Sequence, residues 1–297
     1  MQTPIARGLL IATGLLLAIP AWAGTQVEKS LPLAPGGRFI LDSDGGSVSI
    51  TGTDQSGAKV TITGNRDLQN LFDFTFDDAA GTVRIRATRR DHWGWFGFDL
   101  NMHYEVRVPK ATALEIRTGG GGIEVNTIAA EASLKTSGGP IDVSGVNGRL
   151  LAETSGGPVR ITEIQGDAEL GTSGGGITAD AIDGSLIAHT SGGGIRIHRV
   201  TGRIDAHTSG GGIVAVLSKK NDRGGVLESS GGSISATLDP TINLDIDAST
   251  SGGNVVSDLP IHSSGQISTH ALHGKLGSGG ETLRMHTSGG SISINAL

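Results

Sequence analysis

TSGGGIRIHRVTGRIDAH, residues 190–207, is one copy of a motif that returns along the chain every 18 residues. Regular copies open on threonine, a degenerate copy precedes them, and looser copies follow. Their first residues are Thr118 for the degenerate copy, Thr136, Thr154, Thr172, Thr190 and Thr208 for the regular ones, and Ser229, Thr250 and Thr287 for the looser ones. A fixed period of this length is typical of repeat proteins, in which one supersecondary unit stacks on the next.

Each copy contains two short runs of alternating apolar and polar residues. Ile195 and Ile197 alternate with polar neighbours in the first run, and Ile204 and Ala206 do so in the second. Strict alternation is typical of a strand that buries one face. Glycines separate the runs, in Ser-Gly-Gly at one turn and, at the other turn, in four copies at Gly148, Gly166, Gly184 and Gly202. Because glycine suits tight turns, each copy predicts two strands and two turns.

Equivalent positions in successive copies carry the same class of residue. One apolar column consists of Ile123, Ile141, Val159, Ile177, Ile195 and Ile213. We expect the copies to stack as coils about 4.8 Å apart, with parallel strands around one core and with threonine and serine hydroxyls bonded to the turn backbone. The sequence therefore predicts an all-β fold, a parallel β-solenoid of 18-residue coils with two short strands per coil. A β-propeller blade needs about 40 residues, which this period does not supply.

Residues 1–23 have the pattern of a secretory signal peptide. Arg7 gives a positive start, residues 9–19 form an apolar run, and Ala21-Trp22-Ala23 provides an A-x-A cleavage site. The apolar run is too short to span a bilayer, and no later stretch is long and apolar enough to do so. We therefore expect an exported chain in the periplasm, at the cell surface or outside the cell, with no transmembrane segment after cleavage.

Two regions follow the signal peptide. Residues 24–110 contain strand-like runs at irregular spacing, and they predict an N-terminal β module that caps the first coil. Residues 111–297 hold the solenoid repeats, regular over 118–213 and looser over 214–297. An insertion at residues 219–223 predicts a loop on one face of the solenoid. The final strand, residues 291–294, is expected at an open edge unless a partner or a neighbouring loop covers it.

The composition excludes several functional classes. Lys and Arg number 23 against 29 Asp and Glu, so the net charge of −6 argues against binding to nucleic acid. The chain has no cysteine, and it therefore lacks disulfides, thiolate metal sites and a lipid-attachment cysteine. No phosphate loop or dinucleotide fingerprint is present, because no glycine cluster opens a helical pattern.

Aromatic residues concentrate between Phe72 and Tyr104. Phe72, Phe74 and Phe76 alternate with polar residues, and a run that reads HWGWFGF follows at residues 92–98. These rings either form the core of the N-terminal module or belong to an exposed loop that stacks on sugars or inserts into a membrane interface. The candidate ligand-binding residues are Trp93, Trp95, Phe96 and Phe98, with a glycan or an envelope or surface protein as the expected partner.

Two pairs of side chains deserve weighing as chemical sites. Glu124 and Asp142 occupy equivalent outward positions about 5 Å apart, near the separation of a retaining glycosidase pair. Arg160 comes next in their column, so a charge ladder is the simpler interpretation. His189 and His207 also fall on adjacent coils, but the repeat fixes no third metal ligand. We therefore predict no catalytic residue, no metal site and no cofactor.

Together, Tyr104-Glu-Val-Arg-Val-Pro109, Leu114-Glu-Ile-Arg-Thr118 and the Thr-Ser-Gly-Gly copies resemble a bacterial β-strand-repeat family of uncharacterised function that is catalogued as adhesins. The resemblance covers essentially the whole chain after residue 23. It implies an exported or envelope-associated β-solenoid and brings no catalytic or ligand residues with it. We therefore expect a non-enzymatic adhesin or cell-envelope interaction protein. The alternatives are a carbohydrate-active enzyme on a β-helix scaffold and a regulatory binding module of the envelope-stress response.

Overall fold

A computed structural model describes residues 25–65, 68–90, 101–263 and 268–297, and strands dominate this part of the chain. The N-terminal elements are β1 (Thr25–Leu31), β2 (Arg38–Ser43), β3 (Ser47–Thr53), β4 (Ala58–Gly64), α1 (Leu68–Leu71), β5 (Phe72–Ala79), β6 (Thr82–Arg89) and β7 (His103–Pro109). The regular repeats form β8 (Ala113–Thr118), β9 (Ile123–Ile128), β10 (Ala132–Thr136), β11 (Ile141–Asn147), β12 (Leu150–Thr154), β13 (Val159–Gln165), β14 (Ala168–Thr172), β15 (Ile177–Asp183), β16 (Leu186–Thr190), β17 (Ile195–Val200), β18 (Ile204–Thr208) and β19 (Ile213–Leu217). The C-terminal strands are β20 (Gly225–Ser229), β21 (Ile234–Leu238), β22 (Leu244–Thr250), β23 (Val255–Ser257), β24 (His262–Ser263), β25 (Ala271–Leu276), β26 (Thr282–Thr287) and β27 (Ile292–Ala296).

The strands assemble into two long sheets that enclose one thin core. Sheet A has 13 strands and sheet B has 14, and each coil gives one strand to sheet B and the next to sheet A. Neighbouring coils pair in parallel and in register, so that Ile177 lies opposite Ile195 and Thr190 lies opposite Thr208. Within the described part of the chain, no helix has the length and apolar character needed to cross a membrane. The predicted parallel β-solenoid with two strands per coil is confirmed.

A bulge in the strands of sheet A was not apparent from the repeat pattern. Five residues spaced 18 apart adopt positive φ angles of 55–68°, namely Thr127, Gly145, Glu163, Ala181 and Arg199. The pairing between β11 and β13 steps over this position, from Ser144–Thr162 to Val146–Ile164. Each strand of a pair leaves one residue unpaired at this place, so the two strands keep the same length and the positive φ bends them together. The bend turns Val146 and its equivalents back into the core, where they are fully buried.

The second glycine of each Ser-Gly-Gly turn lies directly against the backbone of the neighbouring coil. A Cβ atom placed on Gly175 would fall on the carbonyl oxygen of Gly157, closer than real Cβ contacts come. The same clash with the equivalent glycine of the adjacent coil recurs at Gly157, Gly193, Gly211, Gly232, Gly253 and Gly290. The first glycine of the turn has more room, since a Cβ on Gly174 would lie 3.4 Å from the carbonyl oxygen of Gly156. Close coil stacking therefore explains why the second glycine repeats.

Buried threonine hydroxyls join each turn to the neighbouring coil. Thr172 Oγ1 donates to the carbonyl oxygen of Gly157 at 2.8 Å and accepts from the N–H of Gly175 at 3.2 Å. The bond to the neighbouring coil is repeated by Thr118, Thr136, Thr154, Thr190, Thr208, Ser229, Thr250 and Thr287. These ladders confirm the predicted bonding between hydroxyls and turn backbone.

The N-terminal region combines two solenoid coils with antiparallel capping strands. The first coil, β2–β3, pairs in parallel with β8 and β9 on one side and with β6 and β7 on the other. The coil β6–β7, which comes second in the chain, therefore lies outside the first coil. Antiparallel strands then cover this outer coil, with β5 on β6 and β4 followed by β1 on β7.

Aromatic rings line the core at this end of the solenoid. Phe72 is buried, and Phe74 and Phe76 pack against the core, with ring centroids 6.0 and 6.4 Å apart along β5. Tyr104 is also fully buried, and its hydroxyl lies 2.8 Å from Ser43 Oγ. Burial raises the pKa of Tyr104 far above its usual value of about 10. For these four rings the core interpretation therefore holds.

The C-terminal end repeats the out-of-order arrangement. The last coil of the chain, β26–β27, lies between β20–β21 and β22–β23. Antiparallel β25, followed by β24, covers the outer side of β22. The final strand β27 therefore has a partner on each side, and β23 provides the cover that the sequence left open.

The glycine contacts predict unequal effects for two neighbouring substitutions. We expect Gly175→Ala to lower the free energy of unfolding by about 2–3 kcal/mol, because the coils must separate to admit the methyl group. Gly174→Ala is the matched control and should change it by less than about 0.5 kcal/mol. Urea unfolding followed by circular dichroism measures both, and equal losses would contradict the proposed backbone contact.

The hydroxyl ladder predicts a second pair of unequal effects. Thr172→Val keeps the shape of the side chain but leaves the Gly157 carbonyl and the Gly175 N–H without their partner, so we expect a loss of about 1–3 kcal/mol. Thr178→Val is the same substitution at an exposed position of sheet A and should cost less than about 0.5 kcal/mol. Thermal unfolding of the two variants beside the wild type provides the comparison. A Thr172→Val protein as stable as Thr178→Val would show that the ladder contributes nothing.

Candidate ligand-binding face

A file of serine side chains runs along the Ser-Gly-Gly corner of the solenoid. Each of these serines follows a buried threonine, or the buried Ser229 in the case of Ser230, and all of them are exposed. In spatial order along the stacked coils they are Ser137, Ser155, Ser173, Ser191, Ser209, Ser230, Ser288 and Ser251. Because adjacent coils are about 4.8 Å apart, the corner presents hydroxyl groups at a regular interval. Each hydroxyl can both donate and accept a hydrogen bond.

Ionisable side chains lie beside this serine file on the outer face of sheet B. His189, His207, Glu228 and His286 occupy equivalent positions on the adjacent strands β16, β18, β20 and β26. Together with Ser191, Ser209, Ser230 and Ser288 they line a shallow groove that is open to solvent. We call this surface the histidine groove.

The imidazoles of the histidine groove are held by defined contacts. The rings of His189 and His207 stack with centroids 5.1 Å apart and planes inclined by 18°. His207 Nδ1 lies 3.1 Å from Glu228 Oε2, and His286 Nδ1 lies 3.0 Å from Ser249 Oγ. The position before His189 in this file is Gly171, so His189 has no side chain beside it there. The stacked pair is therefore open on one side and bonded to a carboxylate on the other.

Burial lowers the pKa of His189, and the neighbouring His207 lowers it further. Glu169 and Asp205 act in the opposite direction through their negative charges, but their effect is smaller. The lowered pKa favours the neutral form of His189 over the charged one, compared with an unperturbed histidine.

The predicted ligand-binding residues Trp93, Trp95, Phe96 and Phe98 lie outside the described residues, so their role stays a prediction. In the sequence they come between the end of β6 and the start of β7.

The acidic pair Glu124 and Asp142 does lie on adjacent strands, as expected. Asp142 Oδ1 accepts a bond from the Arg160 guanidinium at 3.3 Å, and Glu124 Oε1 accepts one from the side chain of Asn126 at 3.1 Å. These contacts agree with the charge-ladder interpretation. Across the residues that the structure describes, no group of three or more histidine, aspartate or glutamate side chains is arranged to hold a metal ion.

The insertion at residues 219–223 contains a buried residue that serves the solenoid itself. Asn221 is fully buried, and its Nδ2 donates to the carbonyl oxygens of Val200 and Gly202 at 2.7 and 3.1 Å. This side chain satisfies backbone groups at the corner where the series of bulges ends. Asn221 therefore anchors the inserted loop to the coil beneath it.

The repeat spacing did not predict that Glu228 and His286 belong to the histidine groove. Glu228 follows the insertion, so it no longer stands 18 residues after His207. His286 belongs to the out-of-order coil β26–β27, and no spacing along the chain places it beside Glu228. The two histidines that the reasoning paired, His189 and His207, are brought together as predicted.

The sequence pattern of the family described as Toastrack DUF4097 matches residues 39–295, which include strands of both sheets and both ends of the solenoid. The chain belongs to the Toastrack family. This confirms the resemblance to the β-strand-repeat proteins and agrees with the solenoid fold. Membership alone assigns no activity to the Toastrack chain. No curated protein is similar to it by sequence.

Several solved structures match this Toastrack chain at low sequence identity and low TM-score. A "putative lipid binding protein" from Parabacteroides distasonis is 13% identical, with a TM-score of 0.43 over 93% of this chain and 98% of that one. A "putative adhesin" from Bacteroides fragilis is 13% identical, with a TM-score of 0.38 over 92% of this chain and 97% of that one. A "putative cell adhesion protein" from Clostridium sporogenes is 9% identical, with a TM-score of 0.30 over 92% of this chain and all of that one.

The lowered pKa of His189 predicts a loss of stability of the Toastrack chain in acid. The unfolded chain, with a histidine pKa of about 6.5, binds this proton at a higher pH than the folded chain does. As the pH falls through that value, the unfolded state gains protons first and unfolding becomes more favourable. The loss continues until the pH passes below the folded pKa.

We expect the free energy of unfolding to fall more steeply between about pH 7.5 and pH 5 in the wild type than in His189→Ala. Urea unfolding at a series of pH values measures both slopes. The comparison isolates His189, because both proteins keep the other histidines. Parallel pH profiles would contradict the assigned direction of the pKa.

Proposed function

We propose that this chain is an exported, non-enzymatic binding protein of the cell envelope, an adhesin-type module that holds an extended glycan along its serine file. The observation that carries the proposal is the file itself, with exposed serines on successive stacked coils from Ser137 to Ser251. A regular row of hydroxyls matches a ligand that repeats its own hydroxyl groups along its length.

The affinity of such a surface comes from many weak contacts on a rigid frame. A single hydrogen bond between neutral groups contributes about 0.5–1.5 kcal/mol net. The backbone on both sides of each serine is already fixed by the threonine ladder and the glycine contacts, so little order is lost when a ligand binds. The aromatic run Trp93, Trp95, Phe96 and Phe98 provides a second contact at the N-terminal end in this proposal.

The N-terminal sequence supports the exported location. Residues 1–23 carry the pattern of a secretory signal, with Arg7, an apolar run and an A-x-A cleavage site. Envelope glycans are the polymers that an exported protein meets in the periplasm and at the cell surface.

The test is binding of purified residues 24–297 to a glycan array and to isolated envelope polysaccharide. The variant Ser191→Ala/Ser209→Ala/Ser230→Ala removes three adjacent hydroxyls of the file, and we expect it to bind at least tenfold more weakly than the wild type. The control Ser144→Ala/Thr162→Ala/Thr178→Ala removes three hydroxyls from the outer face of sheet A and should bind like the wild type.

Each other outcome has a distinct meaning. Equal losses in both triple variants, or a wild type that binds no glycan, would overturn the proposed binding face. Loss of binding in Trp93→Ala/Trp95→Ala alone would move the contact to the N-terminal end. Release of sugar from the polysaccharide, abolished by Glu124→Gln or Asp142→Asn, would instead establish the carbohydrate-active enzyme.

A further inference from the structure

The stacked imidazoles of His189 and His207 stand directly opposite each other on adjacent parallel strands. Their ring centroids are 5.1 Å apart, and the stacked pair lies in a groove open to solvent. Imidazole nitrogen is a preferred ligand of zinc, copper and nickel. We propose that His189 and His207 together bind one divalent transition-metal ion, Zn²⁺, Ni²⁺ or Cu²⁺, across two coils of the solenoid.

The contact between His207 and Glu228 prepares one of the two ligands. Glu228 Oε2 lies 3.1 Å from His207 Nδ1, so the carboxylate accepts a hydrogen bond from the N–H group at that position of the ring. The other nitrogen, Nε2, then carries the lone pair that a metal ion needs. Carboxylates commonly hold metal-binding histidines in this way, which fixes the tautomer and the orientation of the ring. Glu228 therefore acts as a positioning residue and touches the ring instead of the ion.

The charges around the pair favour a cation over an anion. Glu228 belongs to the groove, and Glu169 and Asp205 lie close enough to act on His189 through their charges. Glu169 is paired with Arg149 at 3.1 Å and Asp205 with Arg203 at 3.2 Å, so Glu228 is the carboxylate of the groove that attracts a divalent ion. An ionised carboxylate also lowers the free energy of a bound cation in the partly buried groove more than it would in bulk water.

The groove has space for an ion with its remaining water ligands. Gly171 precedes His189 in the file and presents no side chain, so the ring of His189 can turn towards that side. The stacked rings place their nitrogens side by side on adjacent coils, so binding requires the ring of His189 to turn towards the Nε2 atom of His207, which Glu228 holds in place. Two imidazoles leave at least two positions of a tetrahedral ion to water, so the site is open.

Metal titration of purified residues 24–297 by isothermal calorimetry with NiCl2, ZnCl2 and CuCl2 near pH 7.5 tests the proposal. We expect one ion per chain, with affinity at least tenfold weaker in His189→Ala and in His207→Ala. Both variants should fold, since Gly171 already occupies an equivalent position without a side chain. The controls His198→Ala and His273→Ala remove histidines that contact Asp180 and Asp247 instead, and they should bind the ion like the wild type.

A spectroscopic readout separates this site from nonspecific binding by other histidines. Electron paramagnetic resonance of the Cu²⁺ complex should show coupling to two imidazole nitrogens in the wild type and to fewer in either groove variant. Glu228→Gln should weaken binding about tenfold while both imidazoles remain coupled, because it changes the positioning contact alone. Equal affinity in the wild type and His189→Ala, or a complex without two coupled imidazoles, would overturn the proposal. Glycan binding plays no part in these measurements, so they stand apart from the proposed function.

Discussion

The architecture rests on how closely the coils approach each other at the Ser-Gly-Gly corner. Backbone lies against backbone there, and the space for a Cβ atom at Gly175 and its equivalents is taken by the neighbouring carbonyl. The threonine three residues before each of these glycines, such as Thr172 before Gly175, bonds to the same carbonyl and to its own turn. One corner thus sets both the distance between coils and their register. Every file of side chains on the surface follows from that register, including the serine file and the histidine groove.

The interior of the regular repeats could be predicted because the same alternation recurs at a constant interval. Ile177 lies opposite Ile195 because each regular coil contains the same number of residues, as the constant period indicates. The bulge was beyond prediction, since Thr127, Glu163 and Arg199 are residue types that rarely adopt positive φ. The stacked bulges persist because the surrounding ladder holds them. At Arg199 a bidentate contact with Asp180, at 2.9 and 2.8 Å, adds a further bond across the coils and lowers the pKa of that carboxyl.

The candidate site was predictable only where the chain order and the stacking order agree. His189 and His207 stand one period apart within the regular coils, so their contact follows from counting. The insertion that contains Asn221 shifts Glu228 out of phase, and the displaced coil brings His286 to the groove from a distant part of the chain. The sequence of β26–β27 alternates apolar and polar residues in the same way as the sequence of every regular coil. Nothing in that pattern reveals which neighbours the coil will join.

The displaced coils at the two ends have a consequence for how such a molecule can change over evolutionary time. Neither the first coil nor the last is outermost, since each lies between two others, and antiparallel strands cover the outer coil at each end. A coil duplicated at either terminus would have no free sheet edge on which to stack, because the coil beside it already has a neighbour on each side. A unit duplicated in the middle, between β10 and β19, would lengthen the rod by about 4.8 Å and leave both closures intact. The solenoid can therefore gain coils only in its middle. The two ends keep their structure while the number of coils between them changes.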